Sequence, residues 1–256
     1  LSVLSLIPYI ILIIFAPAMK SLKLKYVALI IAIIILADQA VKIWIKTNYE
    51  VGQETHVLGL SWFRLHFIEN SGMAWGLKFW GETGKVILTL FRLAAVIFGV
   101  WYLKKIVKEK YTRGFIICAA LIFAGALGNL IDSMFYGLIF DKGLVYSAAI
   151  HDYLPPYDGL AKFSTAGYSS FLHGSVVDMF YFPILENKTF PSWLPFVGGE
   201  RFTFFNAIFN IADASISVGV LTLLFFQKRI YKKIKADDHK AVTETNTEVN
   251  DKLQVL

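Results

Sequence analysis

The chain has 256 residues, 56% of them hydrophobic and only 17% charged, with a net charge of +6 and a mean hydropathy of +0.57. Soluble domains average about 45–50% apolar and about 25% charged residues, so this composition belongs to an integral membrane protein. The positive charge then sets topology and calls for no nucleic acid, and the single cysteine, Cys118, excludes an internal disulfide.

Residues 1–18 are apolar, carry Pro8 and Pro17, and lead to Met19 followed by Lys20, Lys23 and Lys25. They read as an upstream or artificially added extension, with Met19 as the natural start. The rival is an extra membrane helix interrupted by the two prolines. The first span is expected at 24–45 and carries Asp38 and Lys42, an i,i+4 pair in the favourable acid-first order. Residues 46–84 are mixed, with alternation at Trp62-Phe63-Arg64-Leu65-His66-Phe67 predicting short strands and Asn70-Ser71-Gly72 a turn. The second span is expected at 86–103, interrupted by Arg92, and the third at 114–131, ending in Gly125-Ala126-Leu127-Gly128-Asn129. The stretch 141–173, rich in Tyr, Gly and Ser, predicts a long surface excursion. The fourth span is expected at 202–226, and each approaches the roughly 20 residues that a bilayer requires. The tail 236–256, rich in Thr, Asn, Glu and Asp, predicts disorder.

Lysine and arginine orient these spans. Lys104, Lys105, Lys108, Lys110 and Arg113 fill one short connection, and Lys228, Arg229, Lys232, Lys233 and Lys235 follow the fourth span. With the lysines near residue 20, they place both termini and the middle loop in the cytoplasm. Segments 46–84 and 132–201 are then extracytoplasmic. The polar residues inside the apolar runs fall into one layer near the outer interface: Asp38, Lys42, Asn129, Asp132, Asn210 and Asp213, with Asp178 just before the fourth span.

A carboxyl in a membrane helix costs roughly 2.5–3.5 kcal/mol on the insertion scale, which makes Asp213 a functional candidate in need of a partner. Asp178 is the expected partner. Two close carboxyls cannot both ionise cheaply, so one keeps its proton. The carboxylate can then activate water while the acid polarises a peptide carbonyl. Asn129 and Asn210 can orient such groups, and Lys42 offsets their charge. A transporter or channel built on the same carboxyls is the alternative, but it calls for groups spread across the bilayer. The five histidines form no H-E-x-x-H pattern, and no G-x-S-x-G occurs.

Asp38-Gln39-Ala40-Val41-Lys42, Asn70-Ser71-Gly72-Met73-Ala74-Trp75-Gly76, Gly125 to Asp132, Val176-Val177-Asp178 and Phe209 to Asp213 form an ordered set. The chain resembles the bacterial lipoprotein signal peptidases (signal peptidase II), aspartic membrane peptidases, over residues 20–235. The resemblance implies an all-α membrane domain at 19–235 with four transmembrane helices. It adds a small extracytoplasmic β-cradle near 48–80, besides the long extracytoplasmic insertion. It implies an endopeptidase of the inner membrane that removes the signal peptide of prolipoproteins before a diacylglyceryl-carrying cysteine, with membrane lipid as the other partner. It implies sensitivity to globomycin and no cofactor or metal. Asp178 and Asp213 match the catalytic dyad, Asn129 and Asn210 flank it, and Asp38, Lys42, Asn70 and Gly125 shape the pocket; Asp132 belongs to the same motif. The family usually carries arginine where this chain has Ser133. Arg92, turned inward, is the expected substitute, and Arg201 is expected to be an interfacial anchor.

Overall fold

The computed structural model describes residues 21–71, 81–150, 152–154 and 156–231. The expected extension 1–18, the start at Met19, residues 72–76 of the Asn70 motif and the tail 236–256 lie outside them. Among the described residues, four helices are long and apolar enough to cross a membrane: α1 (Leu24–Asn48), α2 (Gly81–Lys108), α3 (Arg113–Ile131) and α4 (Ile211–Ile230). Three of them, α1, α2 and α4, leave large apolar side chains outward, Leu36, Phe91 and Phe225 each being about 70% exposed or more, whereas α3 is largely buried. Such rows suit hydrocarbon and not water.

Of the expected cradle at 48–80, residues 54–56 and 64–70 belong to a sheet that draws its other strands from much farther along. Its order is β1 (Glu54–His56), β2 (Arg64–Asn70), β5 (Val176–Tyr181) and β8 (Ile208–Phe209), all antiparallel. Two small hairpins, β3 (Tyr146–Ser147) with β4 (Asp152–Tyr153) and β6 (Leu185–Thr189) with β7 (Arg201–Phe204), complete the β structure. Asn70, expected in a turn, ends β2, and Asp178, expected in a loop, sits in the centre of β5. The fourth span begins at Ile211 and not at 202, because 201–204 and 208–209 pair as strands and Asn210 caps the helix after them.

The chain divides into two compact units. One holds Leu1–Ile34, Val96–Ala124 and Ser215–Leu256; the other holds Ile35–Ala95 and Gly125–Ala214. The first is packed around Val27, Leu103, Ile106, Phe115, Ile116 and Ala120, with Cys118 fully buried as a small apolar residue. The second is packed around Ile45, Phe67, Tyr136, Phe140, Val177 and Met179. Val177 and Met179 alternate with Asp178 on β5, so the strand buries apolar side chains on one face and its carboxylate on the other.

The stretch 141–173 is not a free excursion. Ala161 lies buried within the second core, and Phe163 pairs with Phe140 through an isolated bridge and a stacked ring contact of 4.8 Å. The buried ion pair Lys46–Glu69 receives it: Glu69 accepts Leu144 N–H at 2.9 Å and Tyr157 O–H at 2.7 Å. Tyr168 O–H accepts Ser175 N–H at 2.7 Å, one residue before β5. At Gly174 an added Cβ would lie 2.0 Å from the Asp132 carbonyl, so only glycine admits this approach. The long phenol side chains are the reason a polar-looking segment docks: each buries a ring and still delivers a hydroxyl to a polar partner.

Candidate active site

β5 positions the first carboxylate. Register pairs Ile68 with Asp178 and Asn70 with Val176, so Asn70 and Asp178 share a sheet face two residues apart in register. Asn70 Nδ2 donates to Asp178 Oδ2 at 3.3 Å. Burial, with the charge of Asp213 second, pushes the Asp178 carboxyl up to about 7; Lys42 and the amides of Asn70 and Asn210 pull the other way.

The start of α4 supplies the second carboxylate. Asn210 is not a helical residue sharing a face with Asp213, as the spacing suggests, but the cap of the helix. Its Oδ1 accepts Asp213 N–H at 2.8 Å, and Asp213 Oδ2 accepts Asn210 N–H at 3.4 Å. This is a capping box with aspartate in the third helical position. The side-chain nitrogen of Asn210 remains for the other carboxylate and donates to Asp178 Oδ1 at 2.6 Å. One asparagine thus ties both aspartates. Ala212 N–H, which the helix itself leaves unpaired, goes to Asp38 Oδ1 at 2.9 Å.

α1 and α3 complete the cluster. Lys42 is fully buried; it pairs with the carboxylates of Asp38 at 2.8 Å and Asp132 at 2.7 Å and donates to Asn129 Oδ1 at 2.8 Å. Asn129 turns its amide nitrogen to Asp213 Oδ1 at 2.7 Å. Asn210 Nδ2 also approaches Asn129 Oδ1, at 3.2 Å. The close packing rests on Gly128, where a Cβ would come within 2.9 Å of Asp38 Oδ2 and 3.2 Å of the Ala212 methyl. Gly125 is buried one turn before Asn129 on the same face. The expected site residues Asp38, Lys42, Asn70, Asn129, Asp132, Asp178, Asn210 and Asp213 therefore form one network of hydrogen bonds and ion pairs, which Gly125 does not enter.

Three further partners join the network: Gln39 and Tyr136, which were not among the expected site residues, and Arg92, which was expected. Gln39 donates to Asp132 Oδ1 at 2.8 Å and accepts Tyr136 O–H at 3.1 Å. Tyr136 reaches it because the chain after α3 widens into a π turn at Asp132–Tyr136 before closing at Gly137–Ile139. Ser133 Oγ donates back to the Asn129 carbonyl at 2.9 Å, while its own carbonyl accepts Gly174 N–H at 2.9 Å. Such turns inside helices concentrate at functional sites. The third partner is Arg92, which is turned inward as expected: Nη1 donates to Ser133 Oγ at 3.1 Å. Arg201 is exposed. Gln39 carried a usable signal, since it adjoins Asp38 within the quoted motif; the other two lie far apart in sequence from what they touch. Among the described residues, no three His, Cys, Asp or Glu side chains are grouped to hold a metal ion.

Chemically, the cluster offers two carboxyls of unequal environment, held by amide donors and backed by a buried ammonium group. The family described as Signal peptidase (SPase) II matches residues 30–228. The lipoprotein signal peptidase of Porphyromonas gingivalis is 43% identical over 225 residues, which cover 88% of this chain and 92% of that protein. The corresponding protein of Amoebophilus asiaticus is 30% identical, covering 84% of this chain and 82% of its own. That of Chlorobaculum parvum is 29% identical over 68% of this chain and 78% of its own. A match of this extent, over four apolar helices and an intact carboxylate network, leaves one assignment: the chain belongs to the signal peptidase II family and is a membrane peptidase.

Proposed function

We propose that the protein removes the signal peptide from prolipoproteins, cutting before a cysteine that carries diacylglycerol, with Asp178 and Asp213 as the catalytic pair. The observation that supports this most is Asn210, whose side chain and backbone bond both carboxyls at once. In the resting pair the shared proton rests on Asp178, whose carboxyl is raised by burial. Water gives a proton to Asp213 as its oxygen bonds to the scissile carbonyl carbon. Asp178 passes its proton to the carbonyl oxygen, giving a neutral tetrahedral diol. The carbon–nitrogen bond then breaks as Asp213 protonates the leaving nitrogen and Asp178 takes back a proton from the diol. Asn129 and Asn70 hold the two carboxyls in place and do not exchange protons.

On this reading the peptidase domain spans 19–235. Both termini are cytoplasmic, and the sheet, the 141–173 insertion and the carboxyl pair lie at the outer face of a bacterial inner membrane. The partners are the prolipoprotein signal peptide and membrane lipid, with no nucleic acid and no cofactor, and globomycin inhibits. The test is incubation of the purified protein with a diacylated prolipoprotein, reading the size shift. Cleavage is expected in the wild type, blocked by globomycin, and absent in Asp178→Asn and Asp213→Asn. Cleavage near the wild-type rate by either variant rejects the pair.

A further inference from the structure

The two elements that carry the carboxyl pair, β5 and α4, are joined through the β6–β7 hairpin, which the site itself does not use. Tyr181 of β5 pairs with Ile208, and Leu185 of β6 pairs with Phe204. The root of the hairpin is thus four residues, about 14 Å of chain at most, from the pairing that leads into α4 at Ile211. The 20 residues of α4 span about 30 Å, the thickness of a hydrocarbon layer, so the head of the helix marks one membrane surface. The hairpin therefore starts beside that surface.

Its far end is apolar where a turn in water is polar. Between Thr189 and Arg201 the chain reads Phe190-Pro191-Ser192-Trp193-Leu194-Pro195-Phe196-Val197-Gly198-Gly199-Glu200, whereas turns in water draw mainly on Gly, Asn, Asp, Ser and Pro. Trp193 is 78% exposed and Phe196 fully so, and Phe196 stands in the left-handed region at φ 71°. For a bulky residue that conformation is an outlier, and such outliers cluster at functional segments. Phe190 stacks on Phe202 with centroids 4.1 Å apart, which braces the strands behind the tip. Lys188 and Arg201 are exposed at the base of the turn. Arg64 of β2 donates to Glu186 of β6 at 2.5 Å and to Glu54 of β1 at 2.9 Å, which ties the hairpin to the sheet that carries Asp178.

We propose that this hairpin is a lipid anchor: the rings of Trp193 and Phe196 enter the interfacial layer of the leaflet at which α4 begins, and Lys188 and Arg201 meet lipid phosphates. Tryptophan suits that layer because its ring has an apolar body and a polar N–H. Apolar rings at the tip with cations behind them follow the order of acyl chain and phosphate in a leaflet. A second protein fits less well. Stable protein interfaces engage about 20–30 residues a side, and this turn has eleven, 190–200. Through Glu186 and Arg64 the anchor fixes the depth of the sheet, and with it that of Asp178. The inference requires neither the carboxyl pair nor the peptide substrate, and it holds for either orientation of the chain.

The test uses the full chain in vesicles of phosphatidylethanolamine and phosphatidylglycerol, with a nitroxide attached at Phe196→Cys. Cys118 is buried, and wild type carried through the same labelling gives the background. Collisions of the label with oxygen, which concentrates in hydrocarbon, are compared with collisions with a nickel chelate, which stays in water. Such anchors reach about 5–10 Å into the boundary of headgroup and acyl chain, so oxygen is expected to lead by about threefold or more. Equal collisions, or a lead for nickel, place the tip in water and overturn the proposal. Protection from both places it against protein and overturns it as well. Adding Trp193→Glu to the labelled chain is expected to remove most of the oxygen lead, and a lead that stays unchanged overturns the role of that ring. A second readout needs no label and only a mild substitution. The fluorescence difference between wild type and Trp193→Phe isolates the Trp193 ring, and brominated phospholipid is expected to quench it about twofold at the same depth. An unquenched difference overturns the proposal. Failure of the peptidase reading leaves all of these readouts where they are.

Discussion

Asn210 shows how much one side chain decides at this site. As a helix cap it satisfies a backbone donor that α4 leaves open, and its other amide atom bonds Asp178. Removing it would therefore loosen the helix start and both carboxyls together. Asn70 is a second probe, because its amide bonds Asp178. Its amide stabilises the ionised form of Asp178, whose carboxyl is pushed up to about 7. On the proposed mechanism Asp178 carries a proton at the start of the cycle, so activity is expected to decline as pH rises through about 7. In Asn70→Ala the ionised form loses a donor, and that alkaline limb is expected to move to higher pH. A pH profile of kcat checks this; an unmoved or lowered limb counts against Asp178 as the acid. The linkage has a cost in stability. The native state holds the Asp178 proton more tightly than the unfolded chain does, so this residue's contribution declines as pH rises from about 4 to 7.

At the scale of elements, the 141–173 insertion is tied to β2 and β5 by buried polar groups. Lys46 and Glu69 are nearly inaccessible to water, and Lys46 also lies over the rings of Phe140, Tyr157 and Tyr168 at 5.1, 5.4 and 5.2 Å. Burial and the Glu69 charge raise the Tyr157 phenol, so it remains a hydrogen-bond donor. Glu69→Gln leaves a buried ammonium group without its counter-ion, which is expected to cost about 3–5 kcal/mol of stability. Tyr168→Phe strips the acceptor from Ser175 N–H, and a buried unpaired donor costs about 1–3 kcal/mol. Unfolding in detergent measures both, and the Lys46→Met/Glu69→Gln double variant is expected to lose less than the sum of its parts. Wild-type stability in both single variants would mean that the insertion is not held through these contacts.

At the scale of the whole molecule, the apolar faces of the four helices and the flanking lysines set the topology. Reporters fused after Lys108 or Lys233 are expected to read cytoplasmic, and reporters within 141–173 extracytoplasmic. Shortening the chain to begin at Met19 is expected to leave those readings unchanged. A reporter after Lys108 that reads extracytoplasmic would separate the carboxyl pair from the outer face and break the functional placement.

The sequence by itself determined the four spans and the ordered motifs, because apolar run length and local residue spacing act within a single segment. It also pointed to Asp38 with Lys42, which are neighbours on one helical turn. It misplaced the start of α4: a run as apolar as 202–209 satisfies a strand as well as a helix, and only pairing with β5 and β6 chose between them. Tertiary structure alone decided that Glu69 would receive Tyr157 and Leu144, and that Arg92 would stand against Ser133, 41 positions away. Buried polar groups must find partners wherever the fold brings them, and no local pattern records contacts made across such distances in the chain.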